Sequence, residues 1–179
     1  MKPTKRLTVS ALATALGTVF MIVGAVLEVL DLSAVAFASL LMVFIYLELG
    51  SPYTWLVWIA TSLSTALIYP ASLLWVEYLV IFGIYPVIKG YIERTPRPFW
   101  ILLKVLYALL TFGLVAVLSE AVLGIPFFEG DLFGLPLYAV MIALFALAAV
   151  AFLLYDIFIN VMVRFYLERL RPKIKNILK

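Results

Sequence analysis

The sequence predicts an all-α membrane protein, a compact bundle of six transmembrane helices forming one domain over residues 1–179, with both termini cytoplasmic. Three observations carry that expectation. Of the 179 residues, 66% are hydrophobic and 13% charged, with a mean hydropathy of +1.19; soluble domains carry roughly 45–50% apolar and about 25% charged residues. The apolar text falls into runs near the ~20 residues a bilayer requires, and these runs are apolar all round, unlike the alternating segments of a transmembrane barrel. Finally, threading the runs back and forth puts every basic residue on one side.

The elements follow from charges, prolines and glycines as punctuation. Lys2, Lys5 and Arg6 precede the first span, Leu7–Leu30. This opening also resembles the n- and h-regions of a secretory signal, but the uncharged run is too long for an ordinary h-region and further spans follow, so a retained span is expected. The second span is Leu32–Leu47, and a turn at Leu49–Pro52 leads to the third, Tyr53–Tyr69. Pro70 separates it from the fourth, Ser72–Tyr91, because proline lacks an amide hydrogen and disfavours helix just before itself. The polar segment Glu93–Pro98 leads to the fifth span, Phe99–Leu118, and the glycine-rich stretch Ser119–Gly134 to the sixth, Leu135–Val163. No internal repeat supports an inverted-repeat transporter.

The topology is testable within the text. With the amino terminus inside, all 13 Lys and Arg fall in inner loops or inner span ends, from Lys5 and Arg6 through Lys89, Arg94, Arg97 and Lys104 to the tail beginning at Arg164. The outer side receives Glu28, Asp31, Glu77, Glu120, Glu129 and Asp131, and no base. This is the positive-inside pattern. Bases beside apolar spans set topology and contact lipid headgroups, so nucleic acid is not an expected partner.

Cys and His are absent, which removes disulfides, Cys/His metal sites and catalytic triads on a His base. There is no nucleotide-binding glycine motif, no serine in a nucleophile setting and no paired acidic signature. The expectation is a protein that is not an enzyme, with no cofactor and no bound metal.

Among the residues that remain, Glu77 lies in the outer half of span four with Trp75 and Tyr78, and Tyr69 and Tyr138 sit at neighbouring outer span ends. A carboxylate there is costly unless protonated, wetted or paired, so it belongs either to headgroup-level packing or to the wall of an outward-facing pocket. Outer acids without bases favour neutral or cationic ligands, and the aromatic rings add cation–π attraction or form an ordinary interfacial belt. Glu77, Trp75, Tyr78 and Tyr138 are the candidate ligand contacts. Ala11 and Ala15 on span one, flanked by Ser10 and Thr14, have a spacing that admits a close helix, either from the same bundle or from a partner; Ala34 and Ala38 repeat it on span two. Asp156 in span six is expected to pair structurally with Arg164 or Lys104. The tail from Leu167 is expected to be a basic helix to Arg171, broken at Pro172, lying on anionic lipid.

A six-span chain of this size and orientation, opening with KRLTVSALATAL and its Ala11-x-x-x-Ala15 pair and closing with YDIFINVMVRFYLERLRPKI, resembles the substrate-binding S components of energy-coupling factor (ECF) transporters. The resemblance implies a prokaryotic plasma-membrane subunit without an ATP site. Ala11 and Ala15 would pack against the coupling subunit, which joins the chain to ATPase subunits, and the outer halves of later spans would capture a small vitamin-like solute. A second reading is a scaffold that organises other membrane proteins and needs no pocket.

Overall fold

The computed structural model describes residues 3–27, 30–124 and 136–173, and among these every regular element is helical. In order they are α1 (Pro3–Leu27), α2 (Asp31–Leu49), α3 (Ser51–Ile68), α4 (Leu74–Glu77), a wide π turn at Tyr78–Phe82, α5 (Tyr85–Ile92), a 3-10 turn at Arg97–Phe99, α6 (Trp100–Leu123), α7 (Leu137–Phe165) and a second π turn at Tyr166–Leu170. Five stretches are long and apolar enough to cross a membrane: Pro3–Leu27, Asp31–Leu49, Leu74–Ile92, Arg97–Leu123 and Leu137–Lys173. The chain is thus an all-α, multi-pass membrane protein by length and composition. Its outward faces agree with that, because Leu12, Leu16, Val19 and Val23 on α1, Leu102, Leu106, Leu110 and Leu114 on α6, and Leu147, Val150, Leu154 and Ile157 on α7 are all exposed. Soluble monomers rarely present apolar stripes of that extent.

The predicted third span, Tyr53–Tyr69, forms a helix of full length but is not among the five. Serines, threonines and aromatics dilute α3. Its hydroxyls are nonetheless compatible with an apolar setting, since Thr54, Ser62 and Thr65 donate to the carbonyls of Gly50, Trp58 and Thr61 at 2.8–3.0 Å.

Packing divides into two cores that share α2. One joins α1, α2, α3 and the start of span four around Met21, Val35, Met42, Val57 and Tyr78. Small residues set its spacing: a Cβ on Gly24 would collide with Ala34, so Ala34 serves α1–α2 contact, and Ala38 is buried in the same core. The other core joins α2, span four, α6 and α7 around Ile81, Tyr85, Val115, Phe152 and Ile159. There Tyr85 meets Phe152 edge-on at 4.6 Å, and Phe82 meets Tyr155 edge-on at 4.8 Å.

Span four is a broken helix, and the sequence contains the reason. Pro86 supplies no amide hydrogen for the Phe82 carbonyl, and its ring crowds that same group. The backbone widens into the π turn Tyr78–Phe82, closed by the amide of Gly83 donating to the Tyr78 carbonyl at 2.8 Å. Carbonyls around the break are covered by side chains from three other helices. Trp58 Nε1 donates to Leu79 (3.2 Å), Tyr107 Oη to Val80 and Ile81 (3.2 and 2.8 Å), and Tyr155 Oη to Phe82 (3.4 Å). A spanning segment tolerates a break only where backbone polar groups find partners within the protein. The same arrangement recurs in the tail: the π turn Tyr166–Leu170 ends two residues before Pro172, and the helix runs through that proline to Lys173, where the sequence predicted a break. In both places the proline follows a wide turn that already contains the carbonyl four residues back.

Candidate functional site

Three features qualify as candidates: a cavity beside Glu77, a groove containing Ala11 and Ala15, and a buried charge cluster around Asp156. The cavity has a volume of about 670 Å³ and lies between the beginning of α2, span four, and the middle stretches of α6 and α7. Among the described residues its wall is almost wholly apolar, including Ile81, Phe82, Phe112 and Phe152; Ser33, Glu77 and Tyr155 are the polar exceptions there. Tyr155 is already committed, its hydroxyl lying 2.6 Å from the buried Ser39 Oγ. Among the described residues, Glu77 is the only charged one in the wall. It is half-buried, one turn into the helix that begins after Pro70.

The cavity brings in one of the four predicted ligand residues. Tyr78, next in sequence to Glu77, points the opposite way and is 1% exposed within the α1–α3 core, as successive positions about 100° apart on a helix require. Trp75 packs at the edge of the other core and donates its indole N–H to the Pro70 carbonyl at 3.1 Å, bracing the turn before Glu77. Tyr138 is 69% exposed at the start of α7. Trp75, Tyr78 and Tyr138 all lie outside the cavity wall. Of the other outer acids, Glu28, Glu129 and Asp131 lie outside the described residues.

Ala11 and Ala15 lie at the edge of the packing face of α1, beside the buried Ser10 and Thr18. That helix buries Ala13, Gly17, Met21 and Gly24 against α2 and α3, while Ala11 and Ala15 are exposed. Together with Ser10, Thr14, Ala60 and Ser64 they floor a groove of about 510 Å³ between α1 and α3. The chain's own packing therefore leaves this Ala-x-x-x-Ala pair unused, whereas Ala34 and Ala38 are consumed by it.

The charge cluster was only partly foreseen. Asp156 is buried, and Lys104 reaches its Oδ2 at 2.6 Å, which realises the Lys104 alternative over Arg164. Lys89 pairs with Oδ1, which also accepts from Tyr85 Oη at 2.6 Å. Glu93 completes the group, 2.7 Å from Lys89 and 3.5 Å from Lys104. Two acids and two bases from α5, α6, α7 and the adjoining loop thus neutralise one another. The sequence signal for this cluster was the Lys89/Glu93 spacing of four and a lysine one turn into α6. A second tie joins the ends of α2 and α7, where Glu48 Oε1 accepts from Tyr166 Oη (3.1 Å) and pairs with Arg171 Nε (2.9 Å). No protein-family model, curated protein or solved structure matches the chain.

Proposed function

We propose that this chain is a substrate-binding membrane subunit of an ECF-type transporter, with six spans and both ends cytoplasmic. The observation that carries the reading is the division of labour between two faces. An Ala-x-x-x-Ala pair stands exposed on α1, free of intramolecular duty, and a separate cavity, with one carboxylate among its described residues, lies beyond α2. One face suits close helix docking; the other suits ligand capture. A scaffold needs only the first, which is why the cavity favours the transporter.

The topology supports the same reading. Contacts of Glu48 with Tyr166 and Arg171 gather the ends of α2 and α7, and the Lys89–Lys104–Asp156 cluster draws the end of α5 and the start of α6 toward them. Asp31 and Glu77 sit near one another at the starts of α2 and α4. Since α2 ends at the basic side and α4 begins at the acidic one, α3 makes the crossing between them, giving six. The positive-inside rule places the basic end in the cytoplasm.

In this function Glu77 contacts the ligand, and Trp75 and Tyr78 hold the segment that presents it. Ala11 and Ala15 receive the coupling subunit, through which ATPase subunits drive release. The ligand must bind more tightly in one orientation than in the other, or ATP turnover would shift nothing. The test is isolation of the tagged chain from its host membrane. A coupling subunit and ATPases should accompany the wild type and be lost from Ala11→Leu/Ala15→Leu; their absence from wild-type preparations would overturn the proposal.

A further inference from the structure

We infer that the ligand of the Glu77 cavity is an amphiphile, an apolar chain ending in a protonated amine, which enters sideways from the bilayer. The inference rests on the reading of this cavity as the ligand site. Its volume, about 670 Å³, is that of a pocket for a drug-sized molecule, roughly 300–1,000 Å³. A water-soluble solute, however, needs polar groups spread around its outline, and here the wall formed by the described residues is hydrocarbon along nearly its whole length.

The mouth gives the route. Leu32 and Phe37 on α2 and Leu147 and Leu154 on α7 line the cavity and are each more than half exposed. They belong to the same outward surface as the lipid-facing stripes of α6 and α7. The opening between α2 and α7 therefore faces the acyl chains of the bilayer, and an apolar chain can pass through it without being hydrated.

The polar end gives the headgroup. Glu77 and Ser33 lie where α2 and α4 begin, and no hydrogen bond or ion pair from a described residue reaches the Glu77 carboxylate. The nearby Asp31 adds negative potential, while the bases of the bundle gather at its other end. A half-buried carboxylate at an apolar wall is costly without a partner, and a ligand ammonium would offset that cost with a charge-assisted hydrogen bond. A fatty acid would bring a second carboxylate to the same place. At the far end the Tyr155 hydroxyl is occupied by Ser39, so nothing there asks for a second polar group.

The probes are dodecylamine, dodecanol, dodecanoic acid and butylamine, each added to the detergent-solubilised full chain and read by native mass spectrometry. Dodecylamine should be retained as one molecule per chain, about tenfold more tightly than the other three. Glu77→Gln should reduce it to the level of dodecanol. Ala148→Trp should exclude it, with Ala36→Leu on the facing wall as a second obstruction should the tryptophan disturb folding. Equal retention of dodecanol and dodecylamine, or an unchanged affinity in Glu77→Gln, overturns the inference. Retention of butylamine at least as tight as dodecylamine overturns it too, while leaving the cavity as a capture site for a small cation. Binding of none of the four, or binding that Ala148→Trp and Ala36→Leu both leave unchanged, overturns both this inference and the ligand-capture part of the proposed function.

Discussion

Replacing Asp156 by asparagine takes one negative charge from between two lysine side chains that are themselves buried, Lys89 and Lys104 being 6% exposed each. In the wild type both ammonium groups are paired with the Asp156 carboxylate, and the Tyr85 hydroxyl donates to it as well. After the substitution only Glu93, at the edge of the cluster, remains to balance two cations. Removing one partner from a buried ion pair costs roughly 3–5 kcal/mol, mainly because the survivor stays buried without its counter-charge. For a chain of this length each kcal/mol moves the melting temperature by about 2–4 °C, so a fall of ~6–20 °C is expected. Tryptophan fluorescence during heating, in one detergent for all variants, measures it. The rank order is the sharper test. Lys104→Met leaves Asp156 paired with Lys89 and should cost less than Asp156→Asn, and Tyr85→Phe, losing one hydrogen bond to a charged group, should cost roughly 1.5–3 kcal/mol. The triple variant Asp156→Leu/Lys89→Met/Lys104→Met should recover much of the loss, since apolar replacement of a buried ion cluster is often near neutral. Wild-type melting of Asp156→Asn would refute the reasoning, and so would a triple variant no better than the single one.

Three further outcomes follow from the fold. Gly24→Val should destabilise by about 1–3 kcal/mol by pushing α1 off Ala34, seen as a lower melting temperature; Ala11→Leu, on the exposed side of the same helix, should stay within about 0.5 kcal/mol of wild type. Tyr107→Phe uncovers the Val80 and Ile81 carbonyls at the break in span four and should cost roughly 1–3 kcal/mol, with faster hydrogen exchange confined to residues near 78–86. Because the chain lacks cysteine, single cysteines at Gly50 and Thr95 should react with an impermeant reagent from the cytoplasmic side only, and those at Ala71 and Gly124 from the outside only. Labelling of Gly50 and Ala71 from the same side would remove α3 as a crossing.

Composition and punctuation made most of the architecture legible. Pro70 does end a helix, and the helices lie within a few residues of the expected spans. The broken span four was hidden, because a proline in an apolar run announces a disturbance without saying whether neighbouring helices can satisfy the freed carbonyls; Trp58, Tyr107 and Tyr155 come from distant parts of the chain. The same limit explains the site. Glu77 stood out because a carboxylate in apolar text is conspicuous, but adjacency in sequence suggested that Trp75 and Tyr78 share its pocket, and on a helix the next residue turns away. Tyr155 and Phe152, which do line the cavity, carry no chemical signal in the text. For Ala11 and Ala15 the spacing alone could not separate inward from outward packing. The structure separates them from Ala34 and Ala38, which have identical spacing and the opposite fate.

The central claim is that capture and coupling reside on different faces of one subunit, and native mass spectrometry of the tagged chain from its own membrane tests it most directly. The wild type should carry both a ligand and an ATPase-bearing partner complex. Ala11→Leu/Ala15→Leu should lose the complex and keep the ligand, whereas Glu77→Gln should lose the ligand and keep the complex. A wild type that carries no ATPase-bearing complex, or variants that each lose both or neither, would contradict the account.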